Sequence, residues 1–460
     1  MSGKSKEQKK LGLFDVFSLG FGGAVGSGIF VLMGSGIAAT GKSIVLAVIV
    51  GVFFMLLAYW YNILMASMFV FEGGDYSQKS IVFNPLLTGV SAYIVLINGL
   101  ALSMYGLAMV QYASIIFPII TPYTQVIAIG ILTFFFAATI RGAKFVAILN
   151  NMMTIVLIGS ILLFITLGFP KVNANFFSDN HFFLNGLPGF IAGISIMGWA
   201  CQGTTMGPVA VAGVTKRSTR TVPTAILLVC VMLAIVYGLM AYVASGVLSI
   251  DQVAGKSLSA VAEQIFPYPI FVIFILGGAV FAIGTSMISG IQMLGIPLLK
   301  VAKDGWLPKY FTKTLSNGYP WVMYLLLYMI SVIPVALNFS LDVIVSLVMI
   351  PTMLMNVYLN FACIKVIKKY PTQWQRSMLH MPSGLIQVIC VIASICAMIV
   401  CYNLFLLFNF NQMVLMIGLI MGMLGLSYYC IATGKVSTQS LQQEREKIIM
   451  QALKDSEMEK

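Results

Sequence analysis

Glycine is concentrated in two stretches of this chain where it would expose backbone rather than side chains. The first apolar segment contains Gly20, Gly22, Gly23, Gly26, Gly28, Gly34 and Gly36, densest in the run GGAVGSGIF at 22–30. The sixth apolar segment carries Gly198, Gly203, Gly207 and Pro208 around the polar run Cys201, Gln202, Thr204 and Thr205. Inside a helix each glycine costs about 1 kcal/mol relative to alanine, so such density predicts either a close-packed face of small residues or an unwound backbone. Unwound N–H and C=O groups are tolerated at membrane depth only where they line a cavity or a ligand. A half-helix N-terminus then offers N–H donors and a positive dipole end to a carboxylate, while freed carbonyls accept from an ammonium group or coordinate a cation. An amino acid zwitterion meets both requirements.

The elements that must hold these breaks are read from hydropathy. Of the 460 residues, 60% are apolar and only 9% charged, far below the roughly 25% charged of a soluble domain. The mean hydropathy of +0.98 needs more than one anchor, since apolar stretches of about 20 residues fill nearly the whole chain. Charged residues punctuate twelve such stretches, beginning near Val16, Ser43, Pro85, Gln125, Phe145, Leu187, Val222, Pro269, Pro320, Leu341, Pro382 and Met413. No alternation of polarity marks barrel strands, so the fold class is an all-α polytopic membrane protein with twelve transmembrane helices. Five helices separate the two interruptions, the pattern of a 5+5 inverted repeat with helices 1 and 6 broken at the midplane and two extra helices.

Twelve spans put both termini on one side. Of the 26 Lys and Arg, 23 then share that side and only Lys42, Lys171 and Lys256 face the other, which makes the crowded side the cytoplasm. The net charge of +12 is thereby accounted for by cytoplasmic loops and anionic lipid, with no nucleic acid as partner. The seven cysteines lie in or beside apolar spans at spacings that match no metal motif, and are expected as free thiols. The opening MSGKSKEQKK is too charged for a signal sequence, and the first span has no small-residue cleavage site after it. The expected location is the cytoplasmic membrane.

Several motifs together resemble the amino acid, polyamine and organocation (APC) transporter superfamily. They are GSGIF at 26–30, EGGDY at 72–76, WACQG at 199–203, the segment 212–223 ending in proline, and VAKDGWLP at 301–308. The resemblance covers nearly the whole chain and implies the leucine-transporter-type fold. On that basis the chain divides into a cytoplasmic N-terminus (1–13), a first repeat (14–169), a second repeat (185–368), two added helices (382–433) and a cytoplasmic tail (434–460). It implies a substrate site made by Gly22, Gly23, Gly26, Ser27, Gly28, Trp199, Ala200, Cys201, Gln202, Gly203 and Thr205. The amides around Ser27 and Gly28 would hold the carboxylate, carbonyls near Gly22, Gly23 and 199–202 the ammonium, and Trp199 would cover the substrate.

Departures from the family pattern narrow these expectations. Some relatives that handle arginine or polyamines have a glutamate just after the sixth-helix glycine, where this chain has Thr204, Thr205 and Met206. All fourteen Asp and Glu fall at span ends, in loops or in tails, so no midplane acid would offset a cationic side chain, and neutral amino acids are favoured. The segment AGVTKRSTRTVP also lacks the usual Asn-Pro pair. Many members place a lysine in the fifth helix; the comparable position here is Leu157, and no lysine lies between Lys144 and Lys171. Sodium-coupled relatives bind the ion between helices 1 and 8, and the matching positions are Gly22, Val25, Ala282, Thr285 and Ser286. A residue and those three and four later share a helix face, and five neutral oxygens suit a hard monovalent cation. The competing reading has Thr285 and Ser286 bonding back to the preceding turn.

The expectation is a sodium-coupled secondary transporter of neutral amino acids with no cofactor beyond Na+, working by alternating access as a monomer or homodimer. Proton coupling and obligatory exchange, including exchange of cationic amino acids or polyamines, stay open beside it. So does a membrane amino acid sensor, although the short tail provides no output domain. Nothing supports an enzyme: no nucleophile has a base, and no metal cluster or phosphate loop is present. Lys303, Asp304 and Lys309 are expected in a solvated cytoplasmic loop, with ion-paired closure of that side as the alternative. His181 and His380 lie in loops away from any proton path. The tail from Ser437 is expected as a surface helix or as disorder.

Overall fold

The computed structural model describes residues 11–458 other than 142, 180, 181, 202, 317 and 407, with backbone alone for 27, 143, 144, 147, 199, 342 and 451–458. The described chain is helical, and an isolated bridge between Leu11 and Thr215 is its one trace of strand pairing. Among the described residues nine helices are long and apolar enough to cross a membrane, from Gly28–Ala58 to Phe410–Ala432, and Leu13–Ala24 and Trp321–Ala336 are shorter apolar helices. Outward-facing Phe134, Ile155, Met232, Val388 and Leu426 are exposed, as lipid-facing side chains must be.

Local signals set the helix starts. Asn84 accepts from the Leu87 N–H at 2.9 Å and stands before Pro85, a proline suited to a first turn because its missing N–H would have no partner there. Asn409 and Gln412 form a reciprocal cap at the start of Phe410–Ala432.

Five apolar segments are interrupted. The first divides into Leu13–Ala24 and Ser27–Thr40, and the sixth into Gly186–Gly198, a 3-10 turn at Trp199–Cys201, and Gly203–Ala210. These two are the breaks expected from glycine. The second segment also breaks, at Tyr59 between Ile44–Ala58 and Trp60–Met68, without a glycine or proline at the break. Asn360, from helix Leu341–Lys369, compensates it: its Oδ1 accepts from the Tyr61 N–H at 2.9 Å and its Nδ2 donates to the Ala58 carbonyl at 3.0 Å and the Ala393 carbonyl at 3.1 Å. A 3-10 turn at Asn98–Leu100 interrupts the third segment, between Pro85–Ile97 and Ala101–Ile116. A π-helical turn at Phe274–Val280 precedes Phe281–Lys303 in the eighth.

Beyond the last apolar helix the tail is a helix, Thr438–Met458, which settles the choice between helix and disorder. Its Leu441 is buried and its Glu444 bonds Lys300 at 3.0 Å, so it lies against the protein.

Candidate substrate and cation site

The two glycine-rich breaks pack against each other through backbone. A Cβ added to Gly28 would fall 2.3 Å from the Cα and Cβ of Ala200, and one added to Gly203 would fall 2.4 Å from the carbonyl carbon of Gly23. Glycine is required at both places because no side chain fits between the segments. Unwinding frees carbonyls, and Tyr237 of helix Ser218–Gly246 meets two of them, with its hydroxyl 2.7 Å from the Ala24 oxygen and 3.1 Å from the Ala200 oxygen. A single phenol thus spans both breaks.

Beside the junction lies a small cavity of about 50 Å³, tighter than the roughly 300–1,000 Å³ of open small-molecule sites. Its backbone-rich wall is Gly23, Ala24, Gly28 and Gly203. The lining also includes Asn98, Leu102, Tyr105, Met206, Ser286, Met293 and Val348. Among the described lining residues none carries a carboxylate, an ammonium or a guanidinium group. The lining combines glycine-rich backbone with mostly apolar side chains, which suits a small zwitterion with an uncharged side chain.

Of the residues expected to hold a cation, Gly22, Ala282 and Ser286 lie at one contact between the first break and the eighth segment. A Cβ on Gly26 would lie 1.8 Å from Ser286 Oγ and 2.8 Å from the Ala282 carbonyl oxygen, so the first break rests on helix Phe281–Lys303. Ser286 donates to the Gly22 carbonyl at 3.3 Å, while Thr285 donates to the Ala282 carbonyl at 2.7 Å. Thr285 therefore makes the back-bond of the competing reading, and Ser286 reaches across to the first helix. All four of Val25, Ala282, Thr285 and Ser286 are buried.

Of the expected substrate residues, Gly23, Gly28 and Gly203 line the cavity and Ala200 packs behind Gly28. Cys201 turns its thiol back to the Met197 carbonyl at 3.7 Å, and Gly22 and Gly26 lie toward Ser286. Thr205 is buried with no partner for its hydroxyl among the described residues. Gln202 lies outside the described residues, as do the side chains of Ser27 and Trp199. Tyr237 and Asn98 were not foreseen; a phenol or carboxamide inside an apolar run is a visible signal, but its target is not.

Past the end of helix Phe281–Lys303, Asp304 is not in the solvated loop expected of it. It pairs with Lys300 at 2.8 Å and accepts from the Tyr76 hydroxyl at 2.9 Å, and Trp306 Nε1 donates to that hydroxyl at 2.8 Å. Burial raises the Asp304 carboxyl above its ordinary range, outweighing the lowering effects of Lys300 and Tyr76. The Tyr76 phenol is pushed well up by burial and then by the Asp304 charge, so it remains a donor at physiological pH. Lys300 also holds Glu444 of the tail, and Arg445 donates to the Phe83 carbonyl. Lys303 and Lys309 stay exposed. The ion pairs here join Lys300, Asp304 and Glu444, and among the described residues only Asp304 of the three expected to pair takes part.

Residues 11–432 match the family model described as amino acid permease. An uncharacterised protein of Methanocaldococcus jannaschii is similar over 316 residues at 25% identity, covering 67% of this chain and 72% of that protein.

Proposed function

Because the chain belongs to the amino acid permeases of the APC superfamily, a family of transporters and not of enzymes, we propose that it carries neutral L-amino acids across the cytoplasmic membrane in company with sodium. The observation that carries the reading is the cavity between the two glycine breaks: backbone groups for a zwitterion, and no ionised side chain among its described lining residues. A cationic or anionic side chain there would lack the partner that burial of charge demands. In this reading twelve spanning helices form a five-plus-five inverted repeat with both termini in the cytoplasm, and the junction lies at the midplane. Alternating access then consists of the two broken helices moving against the helices that carry Asn98 and Ser286.

Sodium is supported by Ser286 reaching the Gly22 carbonyl where Gly26 packs on Ala282 and Ser286, and by leucine at position 157 where related carriers have lysine. The experiment is uptake of labelled neutral amino acids into proteoliposomes, with an inward sodium gradient compared against choline at matched pH and potential. Accumulation that requires sodium, and that loses the requirement in the Thr285→Ala, Ser286→Ala double variant, supports the reading. Equal uptake in sodium and choline removes the coupling, and an unaltered sodium requirement in the double variant removes the site.

A further inference from the structure

We propose that Asn98 reads the substrate side chain, so that the neutral amino acids carried best bear a hydroxyl or a carboxamide. This rests on the cavity being the substrate site, as read above. Asn98 opens the 3-10 turn Asn98–Leu100, the point where its segment departs from regular helix beside the cavity. It is only 3% exposed, and neither its carboxamide oxygen nor its nitrogen has a hydrogen-bond partner among the described residues. A buried amide in that condition is costly, and the cost is relieved by a ligand that both donates and accepts.

Asn360 shows what a structural asparagine looks like in this fold, with its carboxamide occupied by the break at Tyr59 and by Ala393. Asn62 and Asn356 are also buried and unpaired, but they do not line the cavity. The cavity beside Asn98 is lined largely by apolar side chains, among them Ala101, Leu102, Leu294 and Val348, and neither the Tyr105 nor the Ser286 hydroxyl of the same lining bonds its amide. With the zwitterion held by backbone near Gly23, Gly28 and Gly203, the substrate side chain faces this wall. A hydroxyl or carboxamide pairs with Asn98. An aliphatic side chain of the same size displaces water from Asn98 and returns nothing.

The test is competition against labelled alanine in proteoliposomes, comparing threonine with the nearly isosteric valine, and asparagine with leucine. In the wild-type protein threonine should compete at least about tenfold better than valine. Asn98→Leu should erase that ratio, which is read as threonine against valine in the same variant and so does not depend on how far its alanine uptake changes. If Asn98→Leu does not yield folded protein, Asn98→Ala is read by the same ratio. Equal competition by threonine and valine in the wild type overturns the proposal, as does a preference that survives in the variant. Failure of the wild type to take up any neutral amino acid overturns instead the function on which it rests, and the proposal falls with it.

Discussion

The Tyr237 hydroxyl lies 2.7 Å from the carbonyl oxygen of Ala24, the last helical residue before the first break. The same hydroxyl is 3.1 Å from the Ala200 carbonyl in the second break, so one side chain on a continuous helix bridges two interrupted ones. Tyr237→Phe keeps the ring and removes the donor. It should cost about 1–3 kcal/mol, the penalty of a buried carbonyl left without a partner. Denaturation of the purified protein in detergent measures this, and an unchanged midpoint would show that the carbonyls are served otherwise.

Glycines of the first break should differ sharply in their tolerance of a methyl group. Gly22 has nothing within 4 Å of an added Cβ, whereas Gly28 meets Ala200 at 2.3 Å. Gly22→Ala should therefore retain uptake, its carbonyl being unaffected, while Gly28→Ala and Gly203→Ala should abolish it in protein that still reaches the membrane. Uptake by the three variants, normalised to the amount inserted, decides the matter.

Asn360→Leu should be among the most destabilising single changes in the chain. It preserves approximate volume but strands the Tyr61 N–H and the Ala58 and Ala393 carbonyls in a buried environment. An expected loss of at least about 2 kcal/mol follows from more than one unsatisfied group. Thermal unfolding alongside Asn98→Leu provides the contrast, since the Asn98 amide bonds no group among the described residues.

Stability should also depend on pH through Asp304. Its carboxyl is raised by burial above the ordinary value of 3.8, so the folded chain holds this proton more tightly than the unfolded chain does. Stability from this group is therefore full below the ordinary value, falls as pH rises from there through the raised one, and is level above it. Asp304→Asn should remove that slope. Melting temperatures taken from about pH 4 to 7 should converge or diverge between the two proteins only inside this window.

Much of this architecture can be read from composition, because lipid imposes few solutions and charged residues end apolar runs visibly. Helix starts at Pro85, Leu341 and Ser383 fall within a residue or two of the hydropathy boundaries. Both glycine breaks were legible for the same reason, since glycine in mid-helix is costly without a purpose. The break at Tyr59 was not, because its compensation sits about 300 residues away on Asn360 and leaves no local mark. Tyr237 and Asn98 escaped notice likewise: each is one polar group in an apolar run, and only the fold shows which carbonyl or cavity it faces. Asp304 reads as a loop residue because Tyr76, which donates to it, comes from a distant segment, although Lys300 stands only one helical turn before it.

The π-helical turn at Phe274–Val280 has a bearing on how this protein can change. Such a turn accommodates one more residue than an α-helix would, and one residue corresponds to about 100° of rotation about the helix axis. Everything downstream is thereby phased by that extra residue, including the face on which Ala282 and Ser286 meet Gly26. Deleting a residue within the turn would make the helix more regular and aim Ser286 elsewhere, whereas substitutions that keep the count would not. Along this stretch the length of the chain carries information that the identity of its residues does not.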